Sequence, residues 1–367
     1  MSPVRQRLLT PGPLTTSAEV KAAMLTDYGS RDVRFTRLTA SIRSRLVGIA
    51  GRAGTHTAVP LQGSGTFVVE AMFGTFLPRT GRLLVLVNGA YGQRIVQLVE
   101  RMGRSVTAVQ FAETEPISVA ALEAALAADP SVTHVAAVHC ETTTGLLNPI
   151  ADIGRAVAAA GRGFLIDAMS AFGVLEIPTD VPYEALAASS NKCLEGVPGV
   201  GFCIADMAIL ALRKGNAHSV SLDLEAQWAG LEKTGQWRFT PPTHVLLALG
   251  RALDELEAEG GPPARLARYR ANCHELVSGL RALGLETLLP DSLQAPIIVT
   301  IVSPSHPRFA FGPFYDRLGE RGFVIYPGKL TESETFRMGC IGQLFPADLR
   351  DAVAAVSEVL REMEVLT

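Results

Sequence analysis

Short apolar runs alternate with segments of helical periodicity through most of the chain. Continuous apolar character over so few residues is typical of strands that are buried on both faces of a sheet. The runs that predict strands are 83–89, 105–111, 134–141, 164–167, 185–192 and 199–206. The segments that predict helices are 36–51, 66–77, 91–102, 118–128 and 149–161. Strands that alternate with helices in this way indicate an α/β fold with a mostly parallel sheet and right-handed crossovers.

The pattern changes near the Pro-rich string RFTPPTH (238–244), which cannot be helical. Beyond it, the string Gly260-Gly261-Pro262-Pro263 predicts a break between domains. The elements predicted in this C-terminal part are helices 244–259, 264–283 and 346–364 and strands near 296–302, 322–326 and 336–342. We therefore predict a large domain over residues 16–259 and a smaller α/β domain that is made of residues 1–15 and 260–367.

Composition and charge exclude several classes of protein. The chain has 367 residues, of which 48% are hydrophobic and 19% charged, the opposite of the balance in disordered chains. The net charge of −3 leaves no basic excess for binding nucleic acid. No run approaches the roughly 20 apolar residues of a membrane-spanning helix, so no membrane partner is predicted. Five cysteines without paired spacing, and no apolar segment behind Met1–Arg7, predict a cytoplasmic protein.

Candidate chemistry lies at the carboxyl ends of the predicted strands, where α/β sheets bind their ligands. Asp167 ends the apolar run FLI, and Lys192 follows the next run in the string SSNK. Both charges are costly to bury unless they are paired or engaged. Pyridoxal phosphate explains them together, because it binds a lysine covalently and its ring nitrogen pairs with a carboxylate. The alternative is a structural ion pair between Asp167 and Lys192.

Three further segments fit the same cofactor. The string Ser64-Gly65-Thr66 lies at the start of a predicted helix, where backbone N–H groups and two hydroxyls suit a phosphate monoester. Tyr91, flanked by Gly89 and Gly92, can stack on a planar ring. Arg337 in FRMG can bind a carboxylate through two points of its guanidinium. The alternatives are a glycine turn without a ligand, a core-filling tyrosine and a surface arginine.

Other motifs are incomplete. The turn QGSG (62–65) does not continue into the G-x-G-x-x-G fingerprint of dinucleotide binding. The string His139-Cys140-Glu141 has the H-x-E of zinc deaminases, but no P-C-x-x-C follows it, so we predict no metal site. Cys193, beside Lys192, is interpreted as a packing residue, and Cys340 lies in an apolar string that does not fit the mobile nucleophile of a desulfurase.

In this order, the motifs resemble those of the class V aminotransferases, which are fold-type I pyridoxal phosphate enzymes. The resemblance covers nearly the whole chain and is greatest to the branch that acts on 2-aminoethylphosphonate and pyruvate. The strings that carry it are 8–17, 62–72, 88–94, 139–150, 164–173, 189–202, 238–244 and 336–342. It implies a large domain with a mostly parallel seven-stranded sheet and a smaller C-terminal α/β domain. The implied reaction moves the amino group of 2-aminoethylphosphonate to pyruvate, giving phosphonoacetaldehyde and L-alanine.

The resemblance also implies which residues surround the cofactor ring. Lys192 would bind pyridoxal phosphate covalently and later move a proton. Asp167 would pair with the pyridinium nitrogen. Tyr91 would lie over the ring, and Thr142 would lie near the ring hydroxyl.

The cofactor phosphate and the substrate have implied partners too. Ser64, Gly65 and Thr66 would hold the phosphate. Thr240 would reach the phosphate bound by the neighbouring subunit, which implies a homodimer with shared active sites. Arg337 would bind the acidic end of the substrate.

One stretch departs from the phosphonate branch. In DYGSRDVRF (27–35), Arg31 stands where that branch tends to have a tryptophan, and Val33 and Arg34 stand where it tends to have acids. Added positive charge favours an anionic substrate, but it can also accompany a different one. The alternative is therefore another class V aminotransferase, of the alanine or serine–glyoxylate type or of a different pyruvate type.

Overall fold

The computed structural model describes residues 5–329 and 333–366. Parts of the predicted small domain, residues 1–4, 330–332 and 367, lie outside the described residues. The strands in the described ranges are β1 (Arg7–Leu8), β2 (His56–Gln62), β3 (Arg82–Val87), β4 (Ser105–Gln110), β5 (His134–Val138), β6 (Cys140–Glu141), β7 (Leu146–Leu147), β8 (Gly163–Asp167), β9 (Ala185–Ser189), β10 (Val200–Asp206), β11 (Ile298–Val302), β12 (Phe323–Val324), β13 (Tyr326–Pro327) and β14 (Thr335–Gly339).

Helices cover about half of the remaining described chain. They are α1 (Ala18–Ala22), α2 (Val33–Ile49), α3 (Gly65–Phe76), α4 (Ala90–Arg101), α5 (Val119–Ala128), α6 (Ile150–Ala159), α7 (Met207–Ala211), α8 (Leu224–Thr234), α9 (Thr243–Glu259), α10 (Gly261–Ala282), α11 (Phe311–Glu320) and α12 (Pro346–Glu362). In the ranges described, none of these helices combines the length and the apolar character that crossing a membrane requires.

The central sheet has seven strands in the order β2-β10-β9-β8-β5-β3-β4. Strands β9, β8, β5, β3 and β4 are parallel, whereas β10 is antiparallel to both of its neighbours. Alternate residues of β3 belong to different hydrophobic clusters, with Leu83 and Val85 in one and Leu84 and Leu86 in the other. Both faces of the sheet are therefore buried, and the predicted α/β fold with a mostly parallel sheet is confirmed.

The polar residues at the carboxyl ends of the strands lie along one edge of this sheet. Strands β2, β3, β5, β8 and β9 all point the same way, since β2 and β9 are both antiparallel to β10. Asp167 is the last residue of β8, and the segments that follow the other four strands carry Ser64, Tyr91, Thr142 and Lys192. Residues that are far apart in the sequence are in this way brought to a single edge.

A second group of elements packs outside the central sheet. Strands β11, β14 and β13 form an antiparallel sheet, and β1 pairs in parallel with β12. Leu9, Leu276, Phe336 and Val356 share one hydrophobic cluster there. Gly260, with φ of 108°, joins α9 directly to α10, whose first turn accommodates the prolines of the predicted break. The predicted domain limits, 16–259 and 1–15 with 260–367, stay a prediction.

Three local features differ from the predicted elements. Helix α2 begins at Val33 rather than near residue 36, because the Asp32 side chain caps it by accepting from Arg34 N at 2.8 Å. Strand β2 was not predicted, since Pro60 interrupts its pattern. Pro60 is tolerated there because β2 is an edge strand. Helices α7, α8 and α11 were also not predicted.

Candidate active site

A cavity of about 470 Å³ opens at the edge of the sheet where the parallel strands end. This volume lies in the range of small-molecule sites. Six predicted site residues line it together, namely Ser64, Gly65, Thr66, Tyr91, Asp167 and Lys192. Arg94, Met169, Ser189 and Asn191 are among the residues that complete the wall.

Lys192 lies in the turn that follows β9, and hydrogen bonds hold both its backbone and its side chain. Its carbonyl accepts from Glu195 N at 2.8 Å, and its Nζ donates to the carbonyl of Pro11 at 2.6 Å. Gly12 has φ of 118°, and a Cβ there would lie 2.7 Å from Lys192 Cδ. Burial lowers the pKa of Lys192, which outweighs the opposite effects of Tyr91 and Asp167. A lysine with a lowered pKa is suited to covalent attachment and to proton transfer.

Asp167 ends β8 as a buried carboxylate. Its Oδ1 accepts from Met169 N at 2.9 Å. Burial raises the pKa of Asp167, while the Met169 hydrogen bond and the charge of Lys192 act in the opposite direction. In the described ranges Asp167 forms no ion pair, and Lys192 donates to Pro11 instead. The ion pair between Asp167 and Lys192 is therefore wrong as an explanation, and the buried carboxylate is left to pair with a cation from a ligand.

Ser64, Gly65 and Thr66 form a cradle at the N-terminus of α3. The Ser64 side chain makes no hydrogen bond to the helix that it precedes. Gly65 is in contact with Met169, where a Cβ would lie 2.4 Å from Sδ. Arg94 donates from Nη1 to Thr66 Oγ1 at 3.3 Å. Free backbone N–H groups, a hydroxyl and a guanidinium are the donor set that a phosphate monoester requires.

Tyr91, in the first turn of α4, is positioned by the buried Glu141. Glu141 Oε2 accepts from Tyr91 N at 3.2 Å, and Oε1 accepts from Thr143 Oγ1 at 2.6 Å. A Cβ at Gly89 would lie 2.4 Å from Glu141 Cδ, so only glycine fits there. Burial raises the pKa of Glu141 despite its hydrogen bonds from Thr143. This contact explains why a glycine stands at position 89, two residues before Tyr91.

Cations surround the Tyr91 ring. The Arg94 Cζ and the Lys329 Nζ each lie 4.9 Å from the ring centroid. Burial raises the pKa of Tyr91, but the hydrogen bond with Thr142 and the charges of Lys192, Lys329 and Arg337 outweigh it, so the pKa is lowered. Tyr91 is thus a cavity wall inside a positive field rather than a core-filling residue.

Arg337 lies on β14 and is 1% exposed, so its interpretation as a surface arginine is wrong. Its Nε donates to the carbonyl of Pro327 at 3.0 Å, and its Nη1 donates to the carbonyl of Thr142 at 2.7 Å. Burial lowers the pKa of Arg337, and Tyr91 acts in the opposite direction. Thr142 and Arg337 adjoin Tyr91 instead of lining the 470 Å³ cavity themselves.

Thr240 is exposed and lies away from these residues. It lines a separate cavity of about 420 Å³ with Arg31 and Trp237. A single chain therefore does not bring Thr240 to Lys192. The same cavity contains Arg31, the position at which the sequence departs from the phosphonate branch.

Comparisons with known proteins identify the family. Residues 32–308 match the family model described as aminotransferase class-V. The chain belongs to the class V aminotransferases.

Individual class V aminotransferases match the whole chain. The 2-aminoethylphosphonate–pyruvate transaminase of Pseudomonas fluorescens (strain Pf0-1) is 54% identical over 367 residues, 100% of each chain. A protein with the same name from Pseudomonas aeruginosa is 53% identical over 360 residues, 98% of this chain and 97% of the other. The resemblance inferred from the motifs is confirmed, and the chain is an aminotransferase.

Solved structures show the same fold. The alanine–glyoxylate aminotransferase of Nostoc sp. superposes with a TM-score of 0.90 at 24% identity, covering 98% of this chain and 96% of the other. The pyridoxamine–pyruvate aminotransferase of Mesorhizobium loti superposes with a TM-score of 0.89 at 24% identity, covering 99% and 93%. The central sheet is thus that of fold-type I aminotransferases.

Class V aminotransferases use pyridoxal phosphate, and the cavity fits that group. The buried Asp167 carboxylate has no cation of its own among the described residues, which suits a pyridinium nitrogen. The unused Ser64 hydroxyl and the α3 N-terminus suit the phosphate. Lys192 lies on the same cavity with its pKa lowered. These three features agree with one another because they match three different parts of a single cofactor.

The sequence did not reveal what holds the Lys192 turn. Glu195 has φ of 59°, and its Oε1 accepts from Arg268 Nη2 at 2.7 Å and from Tyr269 OH at 2.5 Å. Arg265 lies beside them and donates from Nη1 to the carbonyl of Cys193 at 3.2 Å. We call Glu195, Arg265, Arg268 and Tyr269 the Glu195 cluster. The positive φ of Glu195, which is unusual for a residue other than glycine, marks this turn as constrained, but only the structure reveals a φ angle.

Cys193 packs as interpreted. Its Sγ donates to the carbonyl of Ser170 at 3.2 Å, and burial raises the pKa of Cys193 to about 12. A thiol in this state is not a nucleophile at neutral pH.

Proposed function

We propose that this aminotransferase uses pyridoxal phosphate to move the amino group of 2-aminoethylphosphonate to pyruvate, giving phosphonoacetaldehyde and L-alanine. The observation that carries the choice of substrates is 54% identity across the full length of the Pseudomonas fluorescens transaminase. The alternative is another class V aminotransferase with a different amino donor, which the departure at Arg31 keeps open.

The chain's own residues supply the binding of the cofactor. Ser64, Gly65 and Thr66 would hold the phosphate at the α3 N-terminus, and Asp167 would pair with the ring nitrogen. Tyr91 and its neighbour Thr142 would contact the ring. When bound, pyridoxal phosphate withdraws electrons from the carbon atom that carries the amino group.

Lys192 is the proton carrier. Its Nζ would take a proton from C2 of 2-aminoethylphosphonate, the carbon atom that carries the amino group, and pass it to the cofactor. In the second half of the exchange it would take a proton from the cofactor and deliver it to C2 of the product L-alanine. Burial lowers the pKa of Lys192, which favours the unprotonated amine that this role requires. General acid–base catalysis of this kind contributes about 10²–10⁴-fold.

Arg337 binds the acidic end of each substrate in turn. Its position beside Tyr91 and Thr142 places a buried guanidinium next to the cavity. A buried guanidinium holds an anion more strongly than an exposed one, because less water competes for it. The phosphonate of the donor and the carboxylate of pyruvate are both anions that it accepts.

The role proposed for Thr240 requires a homodimer with shared active sites, and two exposed aromatic rings support such a dimer. Phe239 beside it and Phe67 beside Thr66 are 53% and 51% exposed, unusual values for phenylalanine. A second subunit that buried both rings would bring Thr240 toward its partner's cofactor phosphate. Light scattering of the holoenzyme should accordingly give twice the mass of one chain.

The test is a donor panel on the purified holoenzyme. Formation of L-alanine is measured with pyruvate and either 2-aminoethylphosphonate or serine, and formation of glycine with glyoxylate and alanine. We expect kcat/KM for 2-aminoethylphosphonate to exceed that of the other donors. Lys192→Ala should abolish turnover, whereas Lys214→Met, an exposed lysine after α7, should leave it unchanged. A higher kcat/KM for serine or alanine would overturn the choice of donor, and turnover by Lys192→Ala would overturn the role of Lys192.

A further inference from the structure

We propose that Lys329 determines specificity by binding the phosphonate of the amino donor together with Arg337. This inference rests on the proposed function, since it concerns how the same site recognises a doubly charged acid. Lys329 lies in none of the sequence motifs, and only its position in the structure identifies it.

Part of the Arg337 guanidinium is already engaged within the protein. Its Nε is engaged with the carbonyl of Pro327 and its Nη1 with the carbonyl of Thr142, so Nη2 is the guanidinium nitrogen outside these two bonds. A carboxylate has two oxygens and one charge, whereas a phosphonate has three oxygens and up to two charges. The phosphonate therefore needs a further cation and further donors beyond those of Arg337.

Lys329 is placed to provide them. Its Nζ lies 4.9 Å from the centroid of the Tyr91 ring, and its charge lowers the pKa of Tyr91 alongside those of Lys192 and Arg337. It follows β13 by two residues, and Pro327 at the end of β13 is the acceptor for Arg337 Nε. One short segment thus anchors the guanidinium and carries the second cation. An ammonium on a flexible stem has three donors, which suits a tetrahedral phosphonate.

The other cation at the Tyr91 ring, Arg94, serves a different part of the cavity. Its Nη1 donates to Thr66 Oγ1 in the phosphate cradle, and its charge acts on Asp167. Arg94 is therefore linked to the residues proposed to bind the cofactor phosphate, whereas Lys329 is linked to Arg337 through Tyr91 and through Pro327. This division leaves Lys329 as the cation that distinguishes a phosphonate from a carboxylate.

The test compares two half-reactions of the holoenzyme by single-turnover absorbance, one with 2-aminoethylphosphonate and one with L-alanine. Lys329→Met removes the charge at similar length, Lys329→Arg keeps it, and Lys214→Met controls for the loss of an exposed lysine. Loss of a charged hydrogen bond predicts a fall of about 10- to 100-fold in the ratio of kcat/KM for 2-aminoethylphosphonate to that for L-alanine in Lys329→Met. Lys329→Arg should recover most of that ratio.

A binding measurement supplements the kinetics. Calorimetric titration of each holoenzyme with phosphonoacetate, which has no amino group to transfer, should show weaker binding to Lys329→Met by the same factor. An unchanged ratio of kcat/KM and unchanged phosphonoacetate affinity would overturn the role of Lys329. If wild type does not accept 2-aminoethylphosphonate, the proposed function fails. If wild type accepts it and Lys329→Met loses both half-reactions equally, the specificity role fails while the proposed function stands.

Discussion

Replacing Glu195 by glutamine tests whether the Glu195 cluster holds the turn that carries Lys192. Glu195 is 1% exposed and adopts φ of 59°, a conformation that costs a residue with a Cβ about 1–2 kcal/mol. Its two short hydrogen bonds, from Arg268 and Tyr269, offset this cost. Glutamine keeps the shape and one acceptor oxygen but removes the charge.

The structure sets the expected size of the effect. Arg268 also pairs with Glu259 at 2.7 Å, so it keeps a partner when Glu195 loses its charge. We therefore expect Glu195→Gln to lower the free energy of unfolding by about 1.5–3 kcal/mol, the range for a hydrogen bond to a charged group. Arg268→Met instead leaves the buried Glu195 carboxylate with only Tyr269 and a more distant Arg265 at 3.9 Å. That change should cost about 3–5 kcal/mol.

The assay is a double-mutant cycle. Unfolding in urea is followed for wild type, both single variants and the double variant, at one protein concentration and one excess of pyridoxal phosphate, because partner and ligand binding shift apparent stability. The double variant should be more stable than the sum of the single losses predicts, by about 1–3 kcal/mol. A second measurement, the pH midpoint of the bound cofactor's absorbance, reports directly on Lys192 and should shift in Glu195→Gln.

Two results would refute this reasoning. The first is a loss below about 0.5 kcal/mol for Glu195→Gln, which would mean that the buried charge contributes nothing. The second is additivity of the two single variants within about 0.5 kcal/mol, the behaviour of independent sites. An unchanged pH midpoint beside a clear loss of stability would show that the cluster stabilises the fold without positioning Lys192.

Two further variants test other contacts of the site. Asp167→Asn removes the charge expected to face the ring nitrogen, so the single-turnover rate with 2-aminoethylphosphonate should fall by about 10²-fold or more, and a rate near that of wild type would contradict the pairing. Gly12→Ala places a Cβ 2.6 Å from the carbonyl oxygen of Asn191 and 2.7 Å from Lys192 Cδ, at a φ of 118°. Strain and overpacking should lower its free energy of unfolding by about 2–6 kcal/mol in urea. The control Gly48→Ala, in the helix α2 with no atom within 4 Å, should gain about 0.5–1 kcal/mol, and equal stability of the two variants would contradict the close contact at Gly12.

The sequence predicted what depends on local pattern. The apolar run of β3 predicted a strand buried on both faces, and Leu83 and Leu84 indeed lie in different clusters. Because parallel strands end at one edge, the position of Asp167 and Lys192 at strand ends was enough to place them on a common cavity.

Features that depend on distant partners could not be predicted. Glu195 and Arg268 are 73 positions apart, and Arg337 and Thr142 are 195 apart, so no spacing rule connects them. Lys329 carries no motif at all. The antiparallel direction of β10 was also hidden, since an apolar run does not reveal the direction of a strand.

The contact between Lys192 and Pro11 has a consequence for folding during synthesis of the chain. The two residues are 181 positions apart, and the segment that carries Pro11 is anchored through β1 to β12 and through Arg7 to Asp348, 341 positions further along. A ribosome releases residues 7–12 long before these anchors. A nascent chain that already contains Lys192, Asp167 and the whole central sheet therefore still lacks the fixed acceptor of the lysine Nζ. The acceptor of the Lys192 Nζ is therefore held by contacts that need the C-terminal part of the chain.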